Sequence, residues 1–300
     1  MKNKTAIVTG GTSNDVPAMA CLVMNIKDTN PNLADEIVIL HDGISEKDQR
    51  LINSIFPTRF ILYKSPFENI TKFKEVVTQY FSLMVFCRYE CFKLLEDYDT
   101  VIWTDYDVVI LQDVSELKKD TNSGMIFSYT PEPLSYQFYD TIKKENNIKY
   151  DLTKKAICIP IFTLHKKIKN YLLYYNWLIE NTVIYAEHLY LPEVAVVNLL
   201  LQEFNLDFDT FITSKYYAHP IKDKNMKDIK ILHAYGQPKF WNGSYNKIWE
   251  TNYKAWIRMG GTPYEHRTLK GRLKRTCTYL YQYIKKMIKL PKKILRLVTK

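Results

Sequence analysis

Apolar and polar residues come in alternating blocks along the first half of the chain. TAIVT (5–9) is a short β-branched run that predicts a strand. GGTSND then reads as a loop, and VPAMACLVMNI as a helix. EIVILHD predicts a second strand, EKDQRLINSIF a second helix and RFILYK a third strand. From Gln79 to Glu96 the spacing, with FSLMVFCRYECFKLLE inside it, predicts one further helix, and TVIWT returns to strand. This βαβαβ order predicts an α/β fold: a mostly parallel, mixed sheet with helices on both faces. Ligands of such sheets bind beyond the carboxyl ends of the strands.

The middle of the chain is less regular. GMIFSY, ICIPIFTL and IKILH predict short strands, and stretches around 166–182 and 192–204 predict helices. Pro131, Pro133 and the run KKENNIKYDLTKK mark a polar, mobile excursion. Beyond Arg267 the pattern becomes a basic amphipathic helix. Leu269, Leu273, Cys277, Leu280, Ile284 and Met287 recur every three or four residues, and Pro291 interrupts the run before KKILRLV. The pattern therefore divides the chain into a globular domain over 1–266 and a tail over 267–300.

Charge sharpens that division. The formal net charge is +10, yet residues 267–300 hold twelve Lys and Arg and no acid. The first 266 residues keep 30 basic against 32 acidic side chains, a balance of −2. The tail fits an anionic membrane surface, and no base-stacking fold accompanies its charges, which argues against nucleic acid. No signal peptide is expected before the first strand, and YLLYYNWLI is far too short to span a bilayer. The five cysteines (Cys21, Cys87, Cys91, Cys158, Cys277) are scattered and odd in number. They predict reduced core thiols in a cytoplasmic protein.

The candidate chemistry lies in VIWTDYDVVIL, residues 101–111. Asp-x-Asp occurs three times: Asp97–Asp99, Asp105–Asp107 and Asp207–Asp209. The first copy follows a helical stretch and reads as solvated loop; the third reads as a turn. Only Asp105 and Asp107 come straight off an apolar strand, where burial of unpaired carboxylates is costly. Side chains two apart on an extended segment point the same way, and two converging carboxylates suit Mn²⁺ or Mg²⁺. A capping or salt-bridge role is the alternative. Two chemistries use such a pair, a haloacid-dehalogenase-type phosphatase and a sugar-nucleotide glycosyltransferase.

A second motif separates them. IKILHAYGQPKFWNG carries His233, Gly236, Lys239 and Trp241 after a short strand. Neutral imidazole is a suitable third ligand for a metal held by carboxylates. Gly236 permits close backbone approach to a phosphate, and Lys239 offers positive charge to a leaving diphosphate.

TVIWTDYDVVILQDVSEL and HAYGQPKFW together resemble the family 8 glycosyltransferases, retaining metal-dependent enzymes of the GT-A fold. The likeness covers roughly the first 260 residues, takes in VPAMACLVMNI and HDGISEKDQ, and is strongest to bacterial lipooligosaccharide galactosyl- and glucosyltransferases. The resemblance implies a metal on Asp105, Asp107 and His233, with Lys239 on the diphosphate. It implies nucleotide-sugar contacts from Thr9, Gly10, Thr12, Ser13 and Asn14 in the first loop, and from Arg88, Asp105, Tyr106 and Gly236. It further implies a nucleotide-sugar donor and a saccharide or glycolipid acceptor, to which the basic tail adds the expectation of a place on the cytoplasmic face of the inner membrane.

The chain departs from the family pattern at three points. Thr12 and Ser13 stand where the family has paired aspartates, and Asp15 where an aromatic is common. Ile157-Cys158-Ile159 replaces the Asn-Ala-Gly donor-sugar strand. Pro192-Glu193-Val194 keeps the acid before the late helix but not the amide after it. Glu193 is therefore either catalytic or an N-terminal helix charge, with Glu187 and His188 as nearby polar alternatives. A phosphatase, or an inactive sugar-nucleotide-binding protein, is the competing reading.

Overall fold

A computed structural model describes residues 4–144, 148–210, 216–223 and 227–271. The chain divides into two units, Met1–Gly261 and Thr262–Lys300. In the second unit only residues 262–271 are described, and they include a short 3₁₀ turn at Glu265–Arg267. The expected basic helix of the tail lies, from residue 272 onward, outside the described residues.

The first unit is built on a six-stranded sheet of order β3-β2-β1-β4-β7-β6. β1 (Thr5–Gly11), β2 (Glu36–His41), β3 (Thr58–Leu62) and β4 (Thr100–Thr104) run parallel. β7 (Lys155–His165) and β6 (Met125–Pro133) continue the sheet antiparallel. The strand period of two sends alternate residues to opposite faces. Ala6, Val8, Val101 and Trp103 enter one core, while Ile7, Ile37, Ile39 and Ile102 enter the other. The first core packs under α4 (Tyr171–Ile184) and α5 (Pro192–Glu203), and the second under α1 (Val16–Thr29) and α2 (Glu46–Ile55).

Two features differ from the pattern-based expectation. The segment expected as one helix over 79–96 is broken into a π-turn (Val76–Phe81), a 3₁₀ run (Leu83–Tyr89), the single α-turn α3 (Glu90–Lys93) and a further 3₁₀ turn (Leu94–Glu96). Ser82 divides the first two with a φ of 61°, and its side chain accepts from the Met84 N–H. Asp105 and Asp107 do not share one extended strand either. The chain turns after β4 and starts β5 (Val108–Ile110) in a separate three-stranded sheet of order β5-β9-β8.

That small sheet positions the site. β9 (Ile231–His233) runs antiparallel to β5, with His233 opposite Val108. β8 (Tyr217–Ala218) closes the other edge. Asn25 of α1 works as a surrogate strand: its amide donates to the Ile110 carbonyl at 2.9 Å and accepts from the Ile110 N–H at 2.6 Å. The last helix, α6 (Lys247–Arg258), is capped by Asn246 and buries Trp256 in the α1 core. No helix among the described residues is long and apolar enough to cross a membrane.

Candidate active site

Asp105 follows the last residue of β4, and its N–H still bonds the Pro160 carbonyl of β7 at 2.8 Å. Two donors hold its Oδ1. The Trp103 indole N–H reaches it at 2.9 Å and the Arg88 guanidinium at 3.0 Å. Arg88 lies over the Trp103 ring, 5.0 Å from its centroid, and also donates to Glu193 Oε1 at 2.6 Å. Charge-assisted bonds of this kind fix the carboxylate's orientation. The other oxygen, Oδ2, faces His233 Nε2 at 3.6 Å.

Asp107 is buried, and its Oδ1 lies 3.3 Å from the same His233 nitrogen. Its Oδ2 pairs with the Lys239 ammonium. The Asp107 carbonyl accepts the Ala234 N–H at 2.9 Å, so the β5–β9 ladder places His233 beside the acidic pair. One ligand atom from each of Asp105, Asp107 and His233 falls within 4.8 Å of the others. Two carboxylates and one imidazole converging in this way fit a divalent cation that accepts both oxygen and nitrogen ligands.

Electrostatics follow from burial and pairing. Burial by itself would raise the Asp107 carboxyl, but His233 and Lys239 together hold it well below the usual carboxylate range. Burial also opposes the charge on Arg88, and Asp105 and Glu193 more than offset it, raising the guanidinium. For Glu193 burial wins over Arg88 and pushes the carboxyl up. Its Oε2 is buried and has no hydrogen-bond partner among the described residues.

The Lys239 loop is shaped by short-range bonds. Lys239 N–H donates to Asn242 Oδ1 at 2.7 Å, and the Asn242 amide reaches back to Gln237 Oε1 at 2.9 Å. Gly236 sits at φ 68°, a left-handed conformation that a Cβ would strain. Trp241 stacks on Tyr106 with centroids 5.9 Å apart. Tyr106 in turn interacts with the Asp15 carboxyl and lies against β1, where a Cβ on Gly11 would come within 2.8 Å of its ring.

Asp105, Asp107, His233, Lys239, Arg88 and Glu193 are thus joined by direct contacts, and Tyr106 joins them through the chain and, by Trp241, to the Lys239 loop. The first-loop residues are disposed differently. Thr12 spends its hydroxyl on Asp15 Oδ2 at 2.7 Å, and Ser13 N–H donates to Asp42 Oδ1 at 2.6 Å. Asn14 is exposed, Thr9 is fully buried in β1, and Gly10 is packed so closely that a Cβ would meet Cys87 Sγ at 2.5 Å. His188 bonds Thr141 at 2.9 Å, and Glu187 is half exposed. The other Asp-x-Asp copies are committed elsewhere: Asp97 pairs with Arg59 at 2.6 Å, Asp99 accepts from Lys4 N–H at 2.8 Å, and Asp209 accepts from Ser123 at 2.6 Å. No disulfide joins the described cysteines.

Sequence reasoning passed over Trp103, which reads as core, and Asp15, which reads as a departure. The available signal for Trp103 was its spacing: two residues before Asp105 on a strand, it shares that side chain's face.

A model of glycosyl transferase family 8 matches residues 6–244. Among solved structures, the bifunctional glycosyltransferase WbbM without ligand aligns with a TM-score of 0.64 and 14% identity, over 87% of this chain and 52% of that one. The chain therefore spans about half of WbbM. The galactosyltransferase LgtC, solved with donor and acceptor sugar analogues, aligns with a TM-score of 0.63 and 14% identity, over 87% of this chain and 99% of LgtC. GlyE of Streptococcus pneumoniae TIGR4 aligns at 0.53 and 15%, over 87% and 65%. At these identities the likeness is one of fold, the GT-A arrangement. No curated protein matches the chain. Neither the family match nor these structures support a phosphatase. The family match contains the Asp-x-Asp turn and the His233–Lys239 loop alike, and the chain belongs to glycosyl transferase family 8 as a glycosyltransferase.

Proposed function

We propose that the protein transfers a hexose, with retention, from a nucleoside-diphosphate sugar to a saccharide acceptor in surface glycan synthesis. UDP-galactose, UDP-glucose and UDP-N-acetylglucosamine are the first donors to test. The observation that carries this reading is the convergence of Asp105, Asp107 and His233 beside Lys239. The similarity to LgtC, a galactosyltransferase solved with donor and acceptor sugar analogues, supports the substrate classes.

Asp105, Asp107 and His233 would hold Mn²⁺ or Mg²⁺, which when bound supplies positive charge to the leaving diphosphate. Lys239 exchanges its Asp107 partner for a diphosphate oxygen and stabilises charge that grows as the glycosidic bond breaks. Gly236 lets backbone approach the phosphates. Arg88 and Trp103 keep Asp105 Oδ1 occupied, so that Oδ2 faces the cation position. Glu193 offers its unpartnered Oε2 to a hydroxyl of the donor sugar. The acceptor hydroxyl attacks the anomeric carbon on the leaving-group face. The bond to the diphosphate breaks as the new C–O bond forms, and the acceptor proton passes to a diphosphate oxygen. The tail, with twelve basic residues over 267–300, would rest on an anionic cytoplasmic membrane surface near a glycolipid acceptor.

A thermal-shift panel of nucleotide sugars, with and without Mn²⁺, tests the site. Stabilisation that needs both ligands and disappears in Asp107→Asn is the expected result. Stabilisation indifferent to Mn²⁺ or to the substitution would refute the assignment. Binding without transfer to any acceptor would identify an inactive sugar-nucleotide-binding protein.

A further inference from the structure

The Gly236 turn has a neighbour that no motif flags. The chain after β8 turns tightly at 219–223, and the buried ring of His219 organises that turn. Its Nδ1 accepts the N–H groups of Ile221 and Lys222, both at 3.1 Å. An Nδ1 that accepts leaves the ring proton on Nε2, which donates to the Tyr235 carbonyl at 3.2 Å. The His219 N–H donates to Asp223 Oδ2 at 2.7 Å. One neutral imidazole thereby ties the 219–223 turn to the loop that leaves β9.

The tie decides where Lys222 goes. Its ammonium lies 4.1 Å from the centroid of the Tyr235 ring. Tyr235 in turn packs against His219 at 4.7 Å and His233 at 5.5 Å between ring centroids. The same ammonium lies 3.8 Å from the place where a Gly236 Cβ would sit, with no other non-neighbouring group within 4 Å among the described residues. Among the described residues no carboxylate pairs with Lys222. A cation held over an aromatic face, next to an open left-handed glycine and unspent on an acid, is available to an anion at that turn.

We infer that Lys222 is a second diphosphate-binding cation, joining Lys239 at the Gly236 turn, and that His219 is its positioning residue. The inference rests on the donor class proposed above and deepens it. One lysine beside the glycine turn and a second on Asp107, three residues further along the same loop, favour a ligand with two linked phosphates over one with a single phosphate.

The test uses the full chain, saturating Mn²⁺ and calorimetric titration with inorganic pyrophosphate, which needs no choice of base, and with UDP. Lys222→Met keeps the aliphatic stem on Tyr235 and removes only the charge. Affinity for pyrophosphate and UDP should fall about fivefold or more, while affinity for Mn²⁺ alone stays unchanged. Lys222→Arg should restore most of the loss. His219→Ala should show a similar loss that does not add to that of Lys222→Met. Pyrophosphate bound equally by wild type and Lys222→Met overturns the role of Lys222 and leaves the proposed function standing. A loss that arginine fails to restore, or that extends to Mn²⁺ alone, shows a packing role and also overturns it. A wild type that binds Mn²⁺ but neither pyrophosphate nor UDP overturns both.

Discussion

Asp107 bears three demands at once: it is buried, it faces His233, and it pairs with Lys239. Its carboxyl is held below the ordinary value of 3.8, so the folded state binds this proton less readily than the unfolded chain. The resulting stability is present above the unfolded carboxylate range and is lost as pH falls through it toward the folded value. In the metal-free protein Asp107→Asn should therefore be destabilising at pH 7, and its gap from wild type in urea midpoint should narrow at about pH 3. A gap that widens in acid would contradict the pairing. Trp103→Phe removes one donor to Asp105 and should weaken Mn²⁺ binding about tenfold without preventing folding, read by titration calorimetry. Asp105, Asp107, His233 and Lys239 could be found from sequence because each belongs to a motif with chemical meaning. Trp103 was passed over although its spacing from Asp105 was visible, because an indole in an apolar strand has a sufficient reason to be buried. Its N–H acquires a second role only when Asp105 turns back beside it.

At the scale of elements, the strands were legible and the irregular pieces were not. β1, β2 and β4 combine β-branched runs with turn residues at both ends. The 79–96 segment shows helical spacing, yet Ser82 interrupts it, and the 3₁₀ run that follows is pressed against β1 at Gly10. Spacing alone separates short 3₁₀ and α segments poorly, since both bring residues three or four apart to one side. The Asp-x-Asp pair converges through a turn between two sheets, which an isolated stretch of sequence cannot reveal. Asn25 holds the second of those sheets in place with both halves of its amide. Asn25→Leu would leave buried Ile110 N–H and C=O groups unpaired and should cost about 2–4 kcal/mol by urea denaturation. A cost under about 0.5 kcal/mol would show that β5 needs no such support.

For the whole molecule, alternation of strand and helix was enough to give the α/β layers and the ligand edge. The antiparallel insertion of β7 between β4 and β6 was hidden, as was the three-stranded sheet, because those pairings join distant parts of the chain. Charge is likewise a property of the whole. With the tail at +12 and the rest at −2, association with anionic vesicles should depend on tail residues alone. Replacing Lys285, Lys286, Lys289, Lys292 and Lys293 by Gln should lower vesicle partitioning more than tenfold, at about 1 kcal/mol per charge before screening. Activity on a soluble acceptor should be preserved, and unchanged partitioning would exclude the tail as the anchor. The pairing of β5 with β9 also sets a timetable. On the ribosome the two aspartates emerge long before the imidazole and the lysine that complete their surroundings. A nascent chain stalled short of β9 carries Asp105 and Asp107 without His233, so the cluster is complete only after synthesis has passed β9.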